Sequence, residues 1–445
     1  MVLPAEAHDG PAQDQGHGTA SRRRVLVSTY IGTVIEWFDF YIYGTAAAII
    51  FNRLFFPEVS SLAGTLASFG TLAGGFLARP LGGVIAGHFG DRIGRKKMLV
   101  LSIILMGLST MLVGVLPTYA QIGVWAPVLL VTARVVQGLA AGGEWGGGVL
   151  MAIEHSPGKR RGLWGSVGMM GVPTGVTLSS AVFALLALLP EDDLVSWGWR
   201  LPFLASFVLV GVGLWVRLGV PESPVFEKRR KEMKETERRR PPLLEIFRND
   251  WRNVVLGVVL VIGPFSASAV FITFAAAYGT ELGMDESKVL GAQTIANVIE
   301  LAALPLFGMM SDRFGRRRIY YWGGLVLGLS AFPLFAAFNS GAWPLILLAC
   351  ILTFVVHAAM YGPMGAFLAE LFTTGTRYTG ASLGYQIAGA VGGGFGPLLS
   401  ASLLASAGGA PNYRYVALFM LAICLVSSVA AFVAPETNRA KLRDA

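Results

Sequence analysis

Apolar runs of roughly 20 residues or more recur along nearly the whole chain, separated by short polar stretches. A helix rising ~1.5 Å per residue needs about that many apolar residues to cross a hydrocarbon layer. The pattern predicts twelve membrane-spanning helices. In the first half they lie near residues 25–50, 62–89, 98–116, 123–153, 162–189 and 199–219. In the second half they lie near residues 252–280, 288–311, 318–338, 343–370, 379–405 and 414–434. The expected fold class is all-α and integral to a membrane. Residues 1–24 carry no apolar run of the signal-peptide kind and are expected to form a short disordered tail.

Composition supports this. The chain is 54% hydrophobic and only 14% charged, against roughly 25% charged for a soluble domain. Cys350 and Cys424 both fall inside spans, as small buried hydrophobes rather than a disulfide framework. No cluster of histidines and cysteines has metal-ligand spacing, and no nucleophile–base constellation appears, so neither a metal, a cofactor nor an enzyme is expected.

The net charge of +8 invites a nucleic-acid reading, which its distribution refutes. Most Lys and Arg residues lie in the tails and in alternate loops: Arg22–Arg24, Arg92–Lys97, Lys159–Arg161, Arg217–Arg252, Arg313–Arg318, Arg377 and Arg439–Arg443. The opposite loops hold Arg53, Arg200, Lys288 and Arg414, and Arg79 and Arg134 lie inside spans. This bias predicts a plasma (inner) membrane protein with both termini in the cytoplasm, and an even number of spans.

The chain also repeats itself. GHFGDRIGRKK (Gly87–Lys97) returns as GMMSDRFGRRR (Gly308–Arg318) at an offset of 221 residues. Glu154 and Arg161 return as Glu370 and Arg377 at 216, and Pro221-Glu222-Ser223 returns as Pro435-Glu436-Thr437 at 214. Three echoes at nearly one offset indicate two homologous six-helix halves, 25–219 and 252–434, joined by 220–251 and followed by a tail at 435–445. The joining segment holds Glu227–Lys231 and Glu235–Arg239 at helical i,i+4 spacing, which predicts an exposed charged helix. Parallel repeats of this kind typify transporters that rock one half against the other.

These residues resemble a known family. The duplicated loop motif is similar to the signature of the major facilitator superfamily. GTVIEWFDFYIYG (Gly32–Gly44), ARPLGGVIAGHFGDRIGRKK and RVVQGLAAGGEWGG resemble, more narrowly, its metabolite:proton symporters, which include permeases for shikimate, α-ketoglutarate, citrate and proline/betaine. The resemblance implies the twelve-helix fold, alternating access, function as a monomer, and proton-coupled uptake of a small organic acid such as a dicarboxylate, a keto acid or a shikimate-like compound. A zwitterion such as proline or betaine remains open. So does export, since Gly168–Gly175 is weakly similar to an antiporter motif. The resemblance also implies a gate in which Asp91, Arg92 and Arg95 join Glu154, Arg161 and Glu222, with a copy made of Asp312, Arg313, Arg316, Glu370, Arg377 and Glu436. Lys96 and Lys97 are assigned to topology alone.

A charge at mid-bilayer is costly and normally faces a partner or a wet cavity. The chain has few: Glu36, Asp39, Arg79, Arg134, Glu144 and Glu300. Thr33, Glu36, Asp39 and Tyr43 fall on one face of the first span. At ~1.5 Å per residue, Glu36, Arg79 and Glu144 share one depth, ~13–16 Å from the basic ends of their spans, and Asp39 and Arg134 lie deeper. Asp39 is expected to meet Arg134, or a substrate anion between them. Glu36, Asp39 and Glu144 are the candidates for proton coupling. The candidate binding residues are Tyr43, Arg79, Arg134 and Gln137 in the first half. In the second they are Gln293, Asn297 and Glu300 on span 8, His357 and Tyr361 on span 10, and Tyr385 and Gln386 on span 11. Arg79 could equally be a structural partner of nearby acids, and His357 a hydrogen-bonded packing residue. The glycine strings at Gly142–Gly148 and Gly392–Gly394 lack the Gly-Lys-Ser/Thr of a phosphate loop and predict close helix approach.

Overall fold

The computed structural model describes residues 14–57, 61–157, 159–186, 188–220, 222, 246–373 and 375–438; at some helical positions, Asp91 and Arg92 among them, it describes the backbone alone. The first six long helices are α1 (Asp14–Ile49), α2 (Ser61–Ile93), α3 (Arg95–Val115), α4 (Trp125–His155), α5 (Arg161–Leu186) and α6 (Arg200–Leu218). The second six are α7 (Trp251–Glu281), α8 (Glu286–Phe314), α9 (Arg316–Asn339), α10 (Trp343–Glu370), α11 (Arg377–Ser406) and α12 (Arg414–Val433). Among the described residues, eleven segments are long and apolar enough to cross a membrane, and α2, 33 residues long, adds a twelfth helix of spanning length. Helix α1 begins at Asp14, so residues 14–24 are helical instead of forming the expected disordered tail, while the candidate span starts at Arg22. Adding residues to an anchored helix needs no new nucleus, and no proline stops it. The charged helix expected around Glu227–Arg239 lies outside the described residues, as do the chain's last residues from 439 onward.

The duplicated loop motif is a one-residue break. Gly94 alone separates α2 from α3, and Gly315 alone separates α8 from α9. Their φ angles are 113° and 103°, with ψ of 145° and 148°, a backbone region essentially reserved for glycine. A Cβ on Gly315 would also lie 2.5 Å from Glu436 Oε2. That carboxylate accepts from the backbone N–H of Arg316 at 2.9 Å and of Arg317 at 3.2 Å, where α9 starts. Glu222 does the same for Arg95 and Lys96 at 3.2 and 3.3 Å, where α3 starts. The repeated Pro-Glu segment after each half therefore caps a helix N-terminus, whose exposed N–H groups favour an anion. Below, the end of the bundle that holds these breaks is called the basic end.

Glycine also sets the spacing of α2 and α4: a Cβ on Gly142 would lie 2.6 Å from Gly83 N. Helix α7 runs through Pro264, which cannot donate to the carbonyl of Leu260. Tyr320 Oη on α9 donates to that carbonyl at 2.6 Å. Ser427 on α12 bridges the adjacent rung, accepting from Gly263 N at 2.9 Å and donating to Val259 O at 2.7 Å. One turn further on, α7 widens into a π-type turn at Val270–Phe274. Gln293 Nε2 donates to the carbonyls of Phe271 and Ile272 at 2.7 and 3.2 Å. The widened turn thus takes both donated bonds of Gln293.

The halves α1–α6 and α7–α12 meet where α5 packs on α8 and α10, and where α11 packs on α2 and α4. Cys350 and Cys424 are buried free thiols.

Candidate functional site

Two acid–base pairs are sealed inside the first half. Glu36 accepts from Arg79 Nη1 at 3.0 Å, with both side chains at most 6% exposed. The guanidinium lies 5.0, 5.2 and 5.7 Å from the rings of Phe76, Phe40 and Trp37. Glu144 pairs with Arg217 Nη2. Sequence reading placed Arg217 in a basic flank. It sits instead in the last turn of α6 at 2% exposure, against the bare backbone of Gly32. The available signal was a lone arginine one residue short of the end of an apolar run, opposite a buried acid that needed a partner.

Asp39 does not pair with Arg134. It accepts from Thr110 Oγ1 at 2.8 Å and Ser206 Oγ at 2.7 Å, so its short side chain is held between α3 and α6. Arg134 donates to Gln137 Oε1, and Gln137 Nε2 donates to Thr110 Oγ1 at 2.7 Å. The expected pair is thus a relay through two uncharged side chains. The face of Arg134 is covered by the rings of Tyr43 and Phe40 at 4.2 and 5.0 Å, and the Tyr43 hydroxyl meets Thr71 Oγ1 at 2.5 Å. A narrow cavity touches Glu36, Arg79, Arg134 and Gln137. In its wall, Glu36 Oε2 and Arg134 Nε are buried with no protein partner. Polar atoms so placed call for a ligand or ordered water.

The second half places Glu300 against His357, Oε1 to Nδ1 at 2.5 Å, and His357 Nε2 lies 3.1 Å from Pro264 O. That carbonyl can only accept, so Nε2 carries a hydrogen. Nδ1 then faces the carboxylate at a distance suited to a shared hydrogen. Asn297 is buried on the same helix as Glu300. His357 stacks on Tyr361 at 5.1 Å, and the Tyr361 and Tyr385 hydroxyls are 3.4 Å apart. Tyr385 lies flat on Trp145 of the first half, ring centroids 3.6 Å apart and 8° from parallel. Gln386 donates to Gly142 O at 3.1 Å and Tyr378 to Gly143 O at 2.6 Å, joining α11 to α4.

At the basic end the repeated charges interlock. Glu154 receives Arg95 of its own half and Arg377 of the other at 3.2 Å. Glu370 receives Arg316 of its own half at 3.3 Å and Arg161 of the other at 3.5 Å. Asp312, which pairs with Arg316 at 2.7 Å, also accepts from Gly162 N and Leu163 N at 2.8 and 3.0 Å across the boundary. Glu222 and Glu436 serve as the helix caps already described, each within its own half. Arg313 is exposed and lies over Phe314 at 5.3 Å, with no carboxylate partner among the described residues. It lines a groove with other residues of the second half. The side chains of Asp91 and Arg92 fall outside the description. Lys96 Nζ donates to Leu218 O at 2.9 Å.

The comparisons agree with this architecture. The family model described as Major Facilitator Superfamily matches residues 29–304 and 265–445. The shikimate transporter of Escherichia coli is 39% identical over 432 residues, covering 96% of this chain and 98% of its own length. The inner membrane metabolite transport protein YhjE of the same organism is 40% identical over 95% of this chain and 96% of its own. The E. coli proline/betaine transporter is 30% identical over 100% of this chain and 89% of its own. In fold, the proton:xylose symporter XylE superimposes with a TM-score of 0.77 at 19% identity, covering 94% of this chain and 97% of that one. The chain belongs to the Major Facilitator Superfamily, among its metabolite transporters, and is a multi-pass secondary transporter rather than an enzyme.

Proposed function

We propose that the protein takes up a small organic acid together with protons, by alternating access, as a monomer in the plasma (inner) membrane with both termini cytoplasmic. One observation carries the substrate class. Seven arginines are buried among the described residues, and six of them pair with a carboxylate. Arg134 alone has none. A buried guanidinium with a free Nε and a neutral partner is suited to accept a substrate carboxylate. The printed name of the shikimate transporter supports this reading. Glu36, Asp39 and Glu144 remain the candidates for coupling in the first half, and the contact of Glu300 with His357 adds a candidate in the second. The interlocked charges of Arg95, Glu154, Arg161, Asp312, Arg316, Glu370 and Arg377 would form the cytoplasmic gate.

A zwitterion is the second reading, favoured by the unpaired Glu36 Oε2, which could receive an ammonium group.

Uptake of labelled shikimate, dicarboxylates, keto acids and proline into proteoliposomes tests both readings. Accumulation of an acid is expected only with the outside more acidic than the lumen. Arg134→Gln should weaken acid binding at least ~30-fold, the lower range for stripping a buried charged contact. Unchanged acid affinity in that variant, or uptake indifferent to the pH gradient, would overturn the proposal. Proline uptake in place of acid uptake would select the second reading.

A further inference from the structure

Outside the charge network, the end of α8, the start of α9 and the end of α12 enclose a groove of about 750 Å³ at the basic end. Three arginines line it. Arg317 is fixed there, its guanidinium bonded to Phe432 O and lying 5.3 Å over the Phe432 ring. Arg313 and Arg318 are exposed and have no carboxylate partner among the described residues. The acid in the wall, Glu436, faces the backbone N–H groups that it caps. Three guanidinium groups against one carboxylate leave the groove with a net positive charge among the described residues. Its remaining walls are aromatic: Phe314, Trp322 and Phe432 are 49%, 60% and 62% exposed.

The internal repeat supplies a control. At the 221-residue offset, Phe314, Tyr321 and Trp322 correspond to Ile93, Val100 and Leu101, and Arg317 and Arg318 correspond to Lys96 and Lys97. A topology signal needs only basic residues, and both halves have them. The second half alone adds an aromatic wall and replaces point-charge ammonium groups with guanidinium forks that match a phosphate.

We propose that this groove binds an anionic membrane phospholipid. Arg313 and Arg318 would hold its phosphate at the membrane surface, and Trp322 and Phe432 would lie along the first carbons of its acyl chains. Exposed aromatics beside arginines at the end of spanning helices suit that junction of headgroup and hydrocarbon. The site is independent of the transported substrate, so its failure leaves the transport reading untouched.

Lipid titration of the purified full-length protein, read by native mass spectrometry, tests it. Phosphatidylglycerol is expected to bind at least tenfold tighter than phosphatidylcholine. Arg313→Ala/Arg318→Ala should weaken phosphatidylglycerol by roughly thirtyfold, at ~1 kcal/mol for each basic residue near a membrane surface. Trp322→Ala should weaken both lipids. Soluble glycerol phosphate should bind far more weakly than the lipid; equal binding would mark a free-phosphate site and overturn the lipid assignment. Equal affinity for the two lipids in the unmodified protein, or no effect of the double substitution, would overturn it too. Should the double variant unfold, Arg318→Lys replaces it: retained charge with weakened binding is expected, and unchanged binding would refute the guanidinium role.

Discussion

Arg377 donates to Glu154 across the boundary between the halves at 3.2 Å, and the pseudo-symmetric contact, Arg161 to Glu370, spans 3.5 Å. Each glutamate also holds an arginine of its own half, Arg95 or Arg316, from the helix that starts just beyond the glycine break. The two loop motifs are thus clamped to the opposite half through one shared carboxylate each. Because Glu154 is buried, removing its charge leaves two guanidinium groups facing each other.

Glu154→Gln is therefore expected to shift the population toward opening at the basic end by roughly ten- to a hundredfold, the equivalent of ~1.5–3 kcal/mol for a hydrogen bond to a charged group. Spin labels on the exposed Lys159, between α4 and α5, and Arg248, just ahead of α7, would report the change as a longer distance. An unaltered distance distribution would remove these ion pairs from any gating role.

The spans were legible because a bilayer imposes length: a run either reaches ~20 apolar residues or cannot cross. The repeat was legible because it reuses the same letters. Partners were less so. Asp39 and Glu36 are three residues apart, yet one turns to Thr110 and Ser206 and the other to Arg79. That ~60° difference in direction around a helix decides which neighbour is met, and helix rotation is fixed by packing rather than by local sequence. Arg217 was misplaced for the same reason: near a helix end, burial depends on whether a neighbour offers a space, here beside Gly32. Glu222 and Glu436 were visible as an echo, but a cap is recognisable only once the helix start it faces is in place.

Those caps make the break glycines testable. Gly315→Ala is expected to cost about 2–4 kcal/mol, combining a backbone region closed to alanine with a clash against Glu436. Gly283 also has positive φ, 78°, but has open space around it, so Gly283→Ala should cost only about 1–2 kcal/mol. Thermal unfolding in detergent would compare them. Equal losses would mean that the cap does not constrain the position.

The pair of Glu144 and Arg217 should be strongly coupled. Either Glu144→Gln or Arg217→Gln leaves a buried charge, with an expected loss of ~3–5 kcal/mol. Glu144→Gln/Arg217→Met should recover most of it. A double-mutant cycle on unfolding stability measures the coupling. Additive losses would show that the pair is solvated and that its burial has been misjudged.

Around Pro264, Tyr320→Phe should destabilise by ~1–2 kcal/mol, because the Leu260 carbonyl loses its donor inside the bundle. Pro264→Ala restores a backbone N–H to that carbonyl, so Tyr320→Phe should cost less in its background. The absence of any such rescue would place the importance of Tyr320 in ring packing instead.

Glu300 and His357 give the most direct test of a proton in the second half. Their 2.5 Å contact, with Pro264 O on the far side of the ring, suits a hydrogen shared between imidazole and carboxylate. Loss of such a hydrogen would set two acceptors against each other, which would tie its occupancy to the packing of α7, α8 and α10. Glu300→Gln supplies an amide hydrogen where the shared hydrogen would lie and so imitates the loaded pair without being able to unload. The variant is expected to fold with stability within ~1 kcal/mol of the parent, since the hydrogen bond persists. It should exchange internal for external substrate at a near-normal rate, yet fail to accumulate substrate under a pH gradient. His357→Ala should lose stability as well, because it leaves Glu300 buried and unpaired. If Glu300→Gln still accumulates substrate against a gradient, this pair is structural, and coupling must reside with the carboxylates of the first half.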